Sequence, residues 1–385
     1  MFRGPTGRSV PLEIRGERVQ AFVPDPLPPS PPLDLPFSRL RLLEEAGVAL
    51  GRLDDITSLL PDAELFLYSY VRREAVLSSQ IEGTASSVED LLLYEAGELP
   101  GVPLDDVQEV SNYVKALFHG VQRLQQGFPL SNRLIREMHA LLLKSGRGSR
   151  RRPGEFRKVP VWIGGSRPSR AEYIPPPPEY VEPSMRTLER FLHNPEPPAL
   201  IKAALVHVQF ESIHPFQDGN GRMGRLLIAF VLHHEKMLKH PLLYLSLYLR
   251  RYRSTYFDLL NRVRFEGDWE QWVDFFLEGV RYTAQQAVET AHRILQQLDK
   301  DRRKIQSGKT KRVSTLLRVF EVFSRRVILS ARHVKELTGL SVAPVYRALE
   351  ELKDLGILQE VTGRRRGRLY AYTALLKILA EGTEP

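Results

Sequence analysis

His214-Pro215-Phe216-Gln217-Asp218-Gly219-Asn220-Gly221-Arg222-Met223-Gly224-Arg225 is the stretch that decides how this chain is organised. It separates two apolar segments. Upstream, Pro197-Pro198 can open a helix at its first turn, where a missing N–H costs nothing. Leu200, Ala203, Ala204 and Val208 then recur at helical spacing. That helix should stop at His214, because a residue before proline is pushed out of the α region. Downstream, Leu226, Leu227, Ile228, Phe230, Val231 and Leu232 are apolar on all sides, which suits a helix in the middle of a core.

The loop between the two helices reads as an anion cradle. Gly219 and Gly221 allow backbone conformations closed to other residues and a close approach to a ligand. The N–H groups that open the second helix are unpaired and carry its positive dipole end, which favours phosphate. Arg222 and Arg225 are three apart and share one face at that end. Asp218 is a hard oxygen ligand beside the cradle, suited to a Mg²⁺ shared with a nucleotide's phosphates. His214 is the side chain here whose ordinary pKa suits proton abstraction near neutrality.

At these residues the chain resembles the Fic family, whose signature HPFx(D/E)GNGRxxR is met at every specified position from His214 to Arg225. The resemblance implies transfer of AMP from ATP to a Ser, Thr or Tyr hydroxyl of a target protein, or of the chain itself, with His214 as general base. It implies ATP contacts from Gly219, Asn220, Gly221, Arg222, Met223, Gly224 and Arg225, with Asn220 and the loop amides facing the α-phosphate. It further implies Mg²⁺ on Asp218 and adenine stacked on Tyr256. Ser78-Ser79-Gln80-Ile81-Glu82-Gly83 is similar to the family's inhibitory motif (S/T)xxxE(G/N), with Ser78 and Glu82 on one helix face. In the family that glutamate reaches the second signature arginine, here Arg225, and blocks productive seating of the γ-phosphate. Taken without the resemblance, Glu82 is a solvated carboxylate at a helix end.

Composition sets the class. The chain has 385 residues, 42% of them hydrophobic and 26% charged, as a globular protein of two or three domains would. It has no cysteine, which removes disulfides, thiolate metal sites and cysteine catalysis. The first residues lack the apolar core of a signal peptide, and no run approaches a membrane span, so a cytoplasmic protein with no membrane partner is expected. The net charge of +9 is uneven: residues 1–100 carry 9 Lys/Arg against 16 Asp/Glu, whereas residues 300–385 carry 19 against 9. An acidic partner is therefore to be sought at the tail.

The expected fold class is mainly α: a Fic helical core with a small β-hairpin flap, followed by a C-terminal winged helix-turn-helix domain. Residues 1–36 read as an extended arm, because 24–36 hold too many prolines for helix or sheet. Residues 37–103 form a helical region broken near Pro61, with the inhibitory helix at about 63–82, through Leu65, Leu67, Tyr68, Val71, Ala75 and Leu77, and ending before Gly83. The core spans 104–290. Within it His139 reads as a hydrogen-bonded packing residue. The segment Arg147-Gly148 through Pro153-Gly154-Glu155-Phe156-Arg157 resembles the family's pattern ahead of its flap. Val159–Gly164 and Glu172–Pro175 read as a β-hairpin, which by resemblance is a flap (about 159–175) whose edge pairs with the target chain. Val161 stands where the family usually has asparagine. A structural hairpin with no partner is the alternative. His207, His214, His233 and His234 match no zinc spacing. Leu242–Tyr248 reads as helical.

Residues 291–312 read as a charged helix end and linker. Gly308-Lys309-Thr310 echoes a phosphate loop, but Arg303 replaces its first glycine and no strand precedes it. In residues 313–385, Val313–Phe323 reads as a helix, Ser330 caps Ala331–Leu337, and Ser341 caps a longer helix through Leu355. Strands at Ile357–Val361 and Leu369–Thr373 flank the basic turn Gly363-Arg364-Arg365-Arg366-Gly367-Arg368. Such a wing fits DNA phosphates, with Tyr346 and Arg347 as base readers, or a docked or dimerised protein, a homodimer included. The competing function is therefore a nucleotide-sensing transcription regulator.

Overall fold

In the computed structural model, which describes residues 3–59, 63–240, 243–308 and 312–384, the chain is mainly helical. It begins with an antiparallel hairpin, β1 (Gly7–Ile14) and β2 (Glu17–Pro24). This corrects the expected extended arm over residues 1–36. The turn is Arg15-Gly16, both with positive φ (51° and 79°), the two-residue geometry that matches strand twist. Val10, Leu12 and Ile14 alternate on one strand and Val19 and Ala21 on the other, and they pack on Trp162 and Ile174. The proline-rich segment after β2 is without regular structure.

Helices α1 (Phe37–Leu59), α2 (Ala63–Ile81), α3 (Val88–Glu95), α4 (Leu104–Gln125) and α5 (Asn132–Leu142) follow. The break expected near Pro61, the side chains of Leu65 and Leu67, Leu242, and Lys309-Thr310 of the phosphate-loop echo lie outside the described residues. Next come α6 (Pro178–Leu192), α7 (Ala199–Ile213), α8 (Asn220–His234), α9 (Ser246–Arg251), α10 (Arg253–Glu266) and α11 (Trp269–Gln306). The core is built around α7 and α8, whose side chains are buried on nearly every side. α7 lies against α6, α8, α10 and α11, and α2 lies against α4, α8 and α9. No helix of the described residues is long and apolar enough to cross a membrane.

Three expectations are corrected here. The linker over 291–312 is helix as far as Gln306, because Ala287, Ala291, Ile294 and Ile305 extend one buried stripe through the charged run. The flap is not a regular hairpin: only Ile163 and Tyr173 form a bridge, around a 3₁₀ turn at Pro168–Arg170. Within Leu242–Tyr248, helix starts only at Ser246.

The C-terminal part contains α12 (Val313–Arg325), β3 (Ile328–Ser330), α13 (Ala331–Thr338), α14 (Val342–Asp354), β4 (Gln359–Glu360), β5 (Leu369–Ala371) and α15 (Thr373–Ala380). The strand order is β3-β5-β4, antiparallel throughout. Ser330 caps α13 by accepting from His333 N–H, and Gly339 ends it at φ 66°. The strands about the basic turn are shorter than expected, and β3 and α15 were not anticipated. This part is fastened to the rest. Tyr372 donates to Asp301 of α11 at 2.6 Å, while Arg73 and Gln80 of α2 donate to the carbonyls of Glu381 and Thr383 at 2.8 and 2.9 Å.

Candidate active site

α7 ends where the proline requires. Its last N–H bond is His214 N–H to Phe210 O at 2.8 Å, and His214 takes the left-handed conformation, φ 49°, ψ 62°. The imidazole is mostly enclosed. Its Nδ1 makes no hydrogen bond among the described residues and lies 3.9 Å from Glu211 Oε2. Burial, followed by the charges of Arg157 and Arg264, pushes the His214 pKa down to about 3. His214 is therefore neutral at physiological pH, the form a base requires.

Gly219 (φ 76°) turns the chain into α8. Asn220, expected at the α-phosphate, is committed elsewhere: Oδ1 accepts from Phe216 N–H at 2.8 Å and Nδ2 donates to Phe216 O at 2.9 Å. Its side chain staples the loop from Asn220 back to Phe216. Asp218 points outward, with Oδ1 accepting from Gly219 N–H at 2.6 Å and lying 3.7 Å from Arg222 Nη2. A Cβ on Gly148 would sit 2.7 Å from Asp218 Oδ2, so that glycine leaves room for the carboxylate. Beneath the loop, His139 stacks on Phe216 at 3.6 Å; its Nδ1 accepts from Gly154 N–H and its Nε2 bonds Asp218 O, both at 2.9 Å. It is a packing residue, as its sequence context suggested.

The two signature arginines have different partners. Arg222 Nη1 donates to Glu109 Oε2 at 2.8 Å, and Arg147 holds the other oxygen of Glu109 at 2.8 Å. Arg225 faces α2: Nε donates to Ser78 Oγ at 2.8 Å, and Nη2 to Ser78 O at 2.9 Å and to Glu82 Oε1 at 2.7 Å. Burial works against the Arg225 charge, but the Glu82 carboxylate, Tyr256 and Glu211 together outweigh it and raise the pKa. Glu82 lies directly on the cradle, where a Cβ on Gly221 would collide with Oε1. Gly221 has no positive φ, so its hydrogen side chain is needed for this approach. α2 is itself pinned through buried Glu74, which accepts from Tyr113 at 3.2 Å and Ser246 Oγ at 2.5 Å.

Tyr256 does not stand where a base could stack. It is 1% exposed and its hydroxyl meets His207 Nε2 at 2.9 Å. Met223 is likewise buried, and Gly224 lies against Glu211, whose Oε1 would be 2.5 Å from an added Cβ. Sequence reading placed Arg147 and Arg157 only in the pattern ahead of the flap, and missed Glu109, Glu211 and Arg264 as parts of this site. Of these last three, Glu211 had a local signal, since it lies one turn before His214 on the same helix. Among the described residues no group of three or more His, Cys, Asp or Glu could hold a metal by itself.

The buried ionisable groups predict a pH profile of stability. His139, His207 and His214 have pKa values lowered to about 4, 3 and 3, chiefly by burial, from an ordinary 6.5. Below pH 6.5 the unfolded chain takes up protons that the fold refuses, so stability falls with pH by about 1.4 kcal/mol per pH unit for each group. Burial raises Glu74 and Glu211 to about 7 from an ordinary 4.5, which opposes this between those values. The melting temperature should therefore peak near pH 6.5, fall gently to about 4.5, and fall steeply below. Thermal unfolding from pH 4 to 8 checks this, and a flat profile between 4 and 6.5 would contradict it.

The Fic/DOC family N-terminal profile matches residues 40–122 and the Fic/DOC family profile residues 129–232. A probable protein adenylyltransferase of Aquifex aeolicus is 40% identical over 81 residues, 21% of this chain and 24% of the relative. The protein adenylyltransferase Fic of Drosophila mojavensis is 28% identical over 245 residues, 62% of this chain and 45% of the relative. The chain thus spans less than half the length of these relatives. A crystal structure of a Fic family protein from Desulfovibrio desulfuricans superposes with a TM-score of 0.59 at 23% identity, covering 89% of this chain and 98% of that one, which shows a shared fold. The helix–loop–helix that carries His214 thus lies within a Fic domain, and the chain carries both the Fic/DOC family N-terminal domain and the Fic domain.

Proposed function

We propose that this chain is an autoinhibited protein adenylyltransferase, moving AMP from ATP onto a Ser, Thr or Tyr hydroxyl of a target protein or of itself. The observation that carries the reading is a neutral, enclosed His214 beside a glycine-lined helix N-terminus whose arginine is held by a carboxylate from another helix. The adenylyltransferase names of the relatives support it. In the reaction His214 takes the hydroxyl proton, and the oxygen bonds to the α-phosphorus. The bond from that phosphorus to the bridging oxygen of the β-phosphate breaks, and pyrophosphate leaves with the electron pair. The amides opening α8 stabilise the developing charge, while Arg222 and Arg225 hold the β/γ end. Asp218 suits a Mg²⁺, an ion held by one or two carboxylates plus phosphate oxygens, which would neutralise phosphate charge when bound. A γ-phosphate and Glu82 compete for the Arg225 guanidinium, which is the proposed inhibition.

The flap supplies the target site. Among the described residues the N–H groups of Val161 and Trp162 make no backbone hydrogen bond, and Val159 is 47% exposed. An extended segment of the target can add to this edge as a strand. The test is labelling with α-³²P ATP and γ-³²P ATP in parallel, using the Glu82→Gly chain. Label from the α position alone is expected. Label from the γ position alone would mean phosphorylation, and no label from either would remove the transferase reading.

A second reading, a nucleotide-sensing regulator that binds DNA through a C-terminal winged helix, is favoured by the turn at 363–368. Arg365 and Arg366 are exposed and have no ion-pair partner among the described residues, whereas Arg364 pairs with Glu98 at 2.8 Å. If these two arginines meet phosphates, changing both to Ala should flatten the salt dependence of duplex binding by about 0.9 in log–log slope per lost contact. Duplex DNA that fails to bind at low salt leaves protein docking or homodimerisation for this surface.

A further inference from the structure

An α-helix leaves its last four carbonyls without intrahelical partners. At the end of α7 these carbonyls converge on the base, and each is taken by a side chain from elsewhere. Glu211 O accepts from Arg264 Nη2 at 3.1 Å and Ser212 O from the Tyr173 hydroxyl at 2.6 Å. Ile213 O and His214 O accept from Arg157, through Nη2 at 3.3 Å and Nε at 2.8 Å. Arg157 also donates to Pro176 O at 2.6 Å, and its own N–H to Pro215 O at 2.9 Å. Arg264 lies 3.8 Å over the Tyr173 ring and donates to Ser212 Oγ at 3.1 Å. Both arginines are almost fully buried.

The electrostatic consequence follows from the helix. A bare C-terminus carries roughly half a negative charge and stabilises a nearby cation. Left uncovered, it would favour the protonated imidazole, which cannot accept a proton. Two guanidinium groups at the same carbonyls reverse the sign of that field. Glu211 also faces His214, with Oε2 3.9 Å from Nδ1, but burial pushes it up to about 7, so it is neutral over the acid range in which the imidazole takes a proton. Tyr173, pushed up to about 12 by burial, stays neutral. The conformation points the same way: a non-glycine residue in the left-handed region costs roughly 1–2 kcal/mol, and Arg157 grips the carbonyl of that residue. We propose that Arg157 and Arg264 are positioning residues that hold His214 in its left-handed conformation and keep its imidazole unprotonated. Because Arg157 leads into the flap and Tyr173 lies on its return, the base and the edge that would receive a target are braced as one unit. The inference rests on His214 being the base.

The test is histidine-selective NMR titration of the full-length chain, with the His214 signal assigned by its loss in His214→Asn. In the parent, His214 stays neutral to the lowest pH at which the fold persists. In Arg157→Met, and further in Arg157→Met/Arg264→Met, its protonation constant should rise at least tenfold, whereas Arg157→Lys keeps the parent value. Transfer measured in the Glu82→Gly background should show the matching split. The acidic limb of the rate profile moves to higher pH in Arg157→Met, and Arg157→Lys loses rate without moving it. Should the double variant fail to fold, Arg264→Met alone reads the same field. An unchanged His214 titration in charge-removing variants that melt like the parent overturns the proposal. Shifted titration in a chain that transfers no AMP leaves the proposal standing and removes only the transferase reading.

Discussion

His214→Ala should abolish AMP transfer while leaving ATP binding within a few-fold of the parent. A positioned general base contributes roughly 10²–10⁴-fold, and in the proposed mechanism the phosphate contacts come from the amides of α8 and from Arg222 and Arg225 instead. The measurement compares single-turnover labelling in the Glu82→Gly background, so that the signal is large enough to lose. His214 has φ 49°, a conformation that disfavours alanine but tolerates asparagine. His214→Asn is therefore the control for backbone strain, and both variants should lose transfer equally. Retention of transfer within a few-fold in either variant, at parental melting temperature, would remove His214 from the base role.

Glu82→Gly should raise self-labelling by about 5–150-fold, the range for a coupling of roughly 1–3 kcal/mol. Glu82 Oε1 takes Arg225 Nη2 at 2.7 Å, and a guanidinium offers one planar fork to carboxylate or phosphate. Removing the carboxylate returns that fork to the nucleotide without touching His214 or the loop. The fold should survive, because the Glu82 side chain is 37% exposed and Gly83 already ends α2. Ser78 still accepts from Arg225 Nε in this variant, so Ser78→Ala should add a smaller gain. Self-labelling at equal ATP, with melting temperature as control, gives the answer. No gain in a variant that melts like the parent would return Glu82 to a mere helix end.

The arginines of the basic turn show how packing narrows an expectation. Four arginines, Arg364, Arg365, Arg366 and Arg368, looked equivalent in the basic turn. Arg364 is occupied by Glu98, and Arg368 lies 4.0 Å from Glu350. Only the remaining pair is free to meet a phosphate without first breaking an ion pair.

What the sequence by itself determined was local. The stop of α7 at His214, the entry into α8, the caps at Ser330 and Gly339, and the end of α2 before Gly83 are all dictated by residues within one turn of the event. Proline sterics, glycine freedom and capping act at that range. The hairpin of β1 and β2 was equally legible in its alternation and its Arg15-Gly16 turn, but the prolines that follow it dominated the reading. Other features were decided by the tertiary structure alone. Arg222 meets Glu109 across 113 positions. Tyr256 is sealed against His207, Asn220 is spent on Phe216, and the charged run after residue 291 stays helical because a neighbouring module covers its apolar stripe. None of these has a signature in adjacent residues, because a side chain's partner and its exposure are set by which distant surface folds against it.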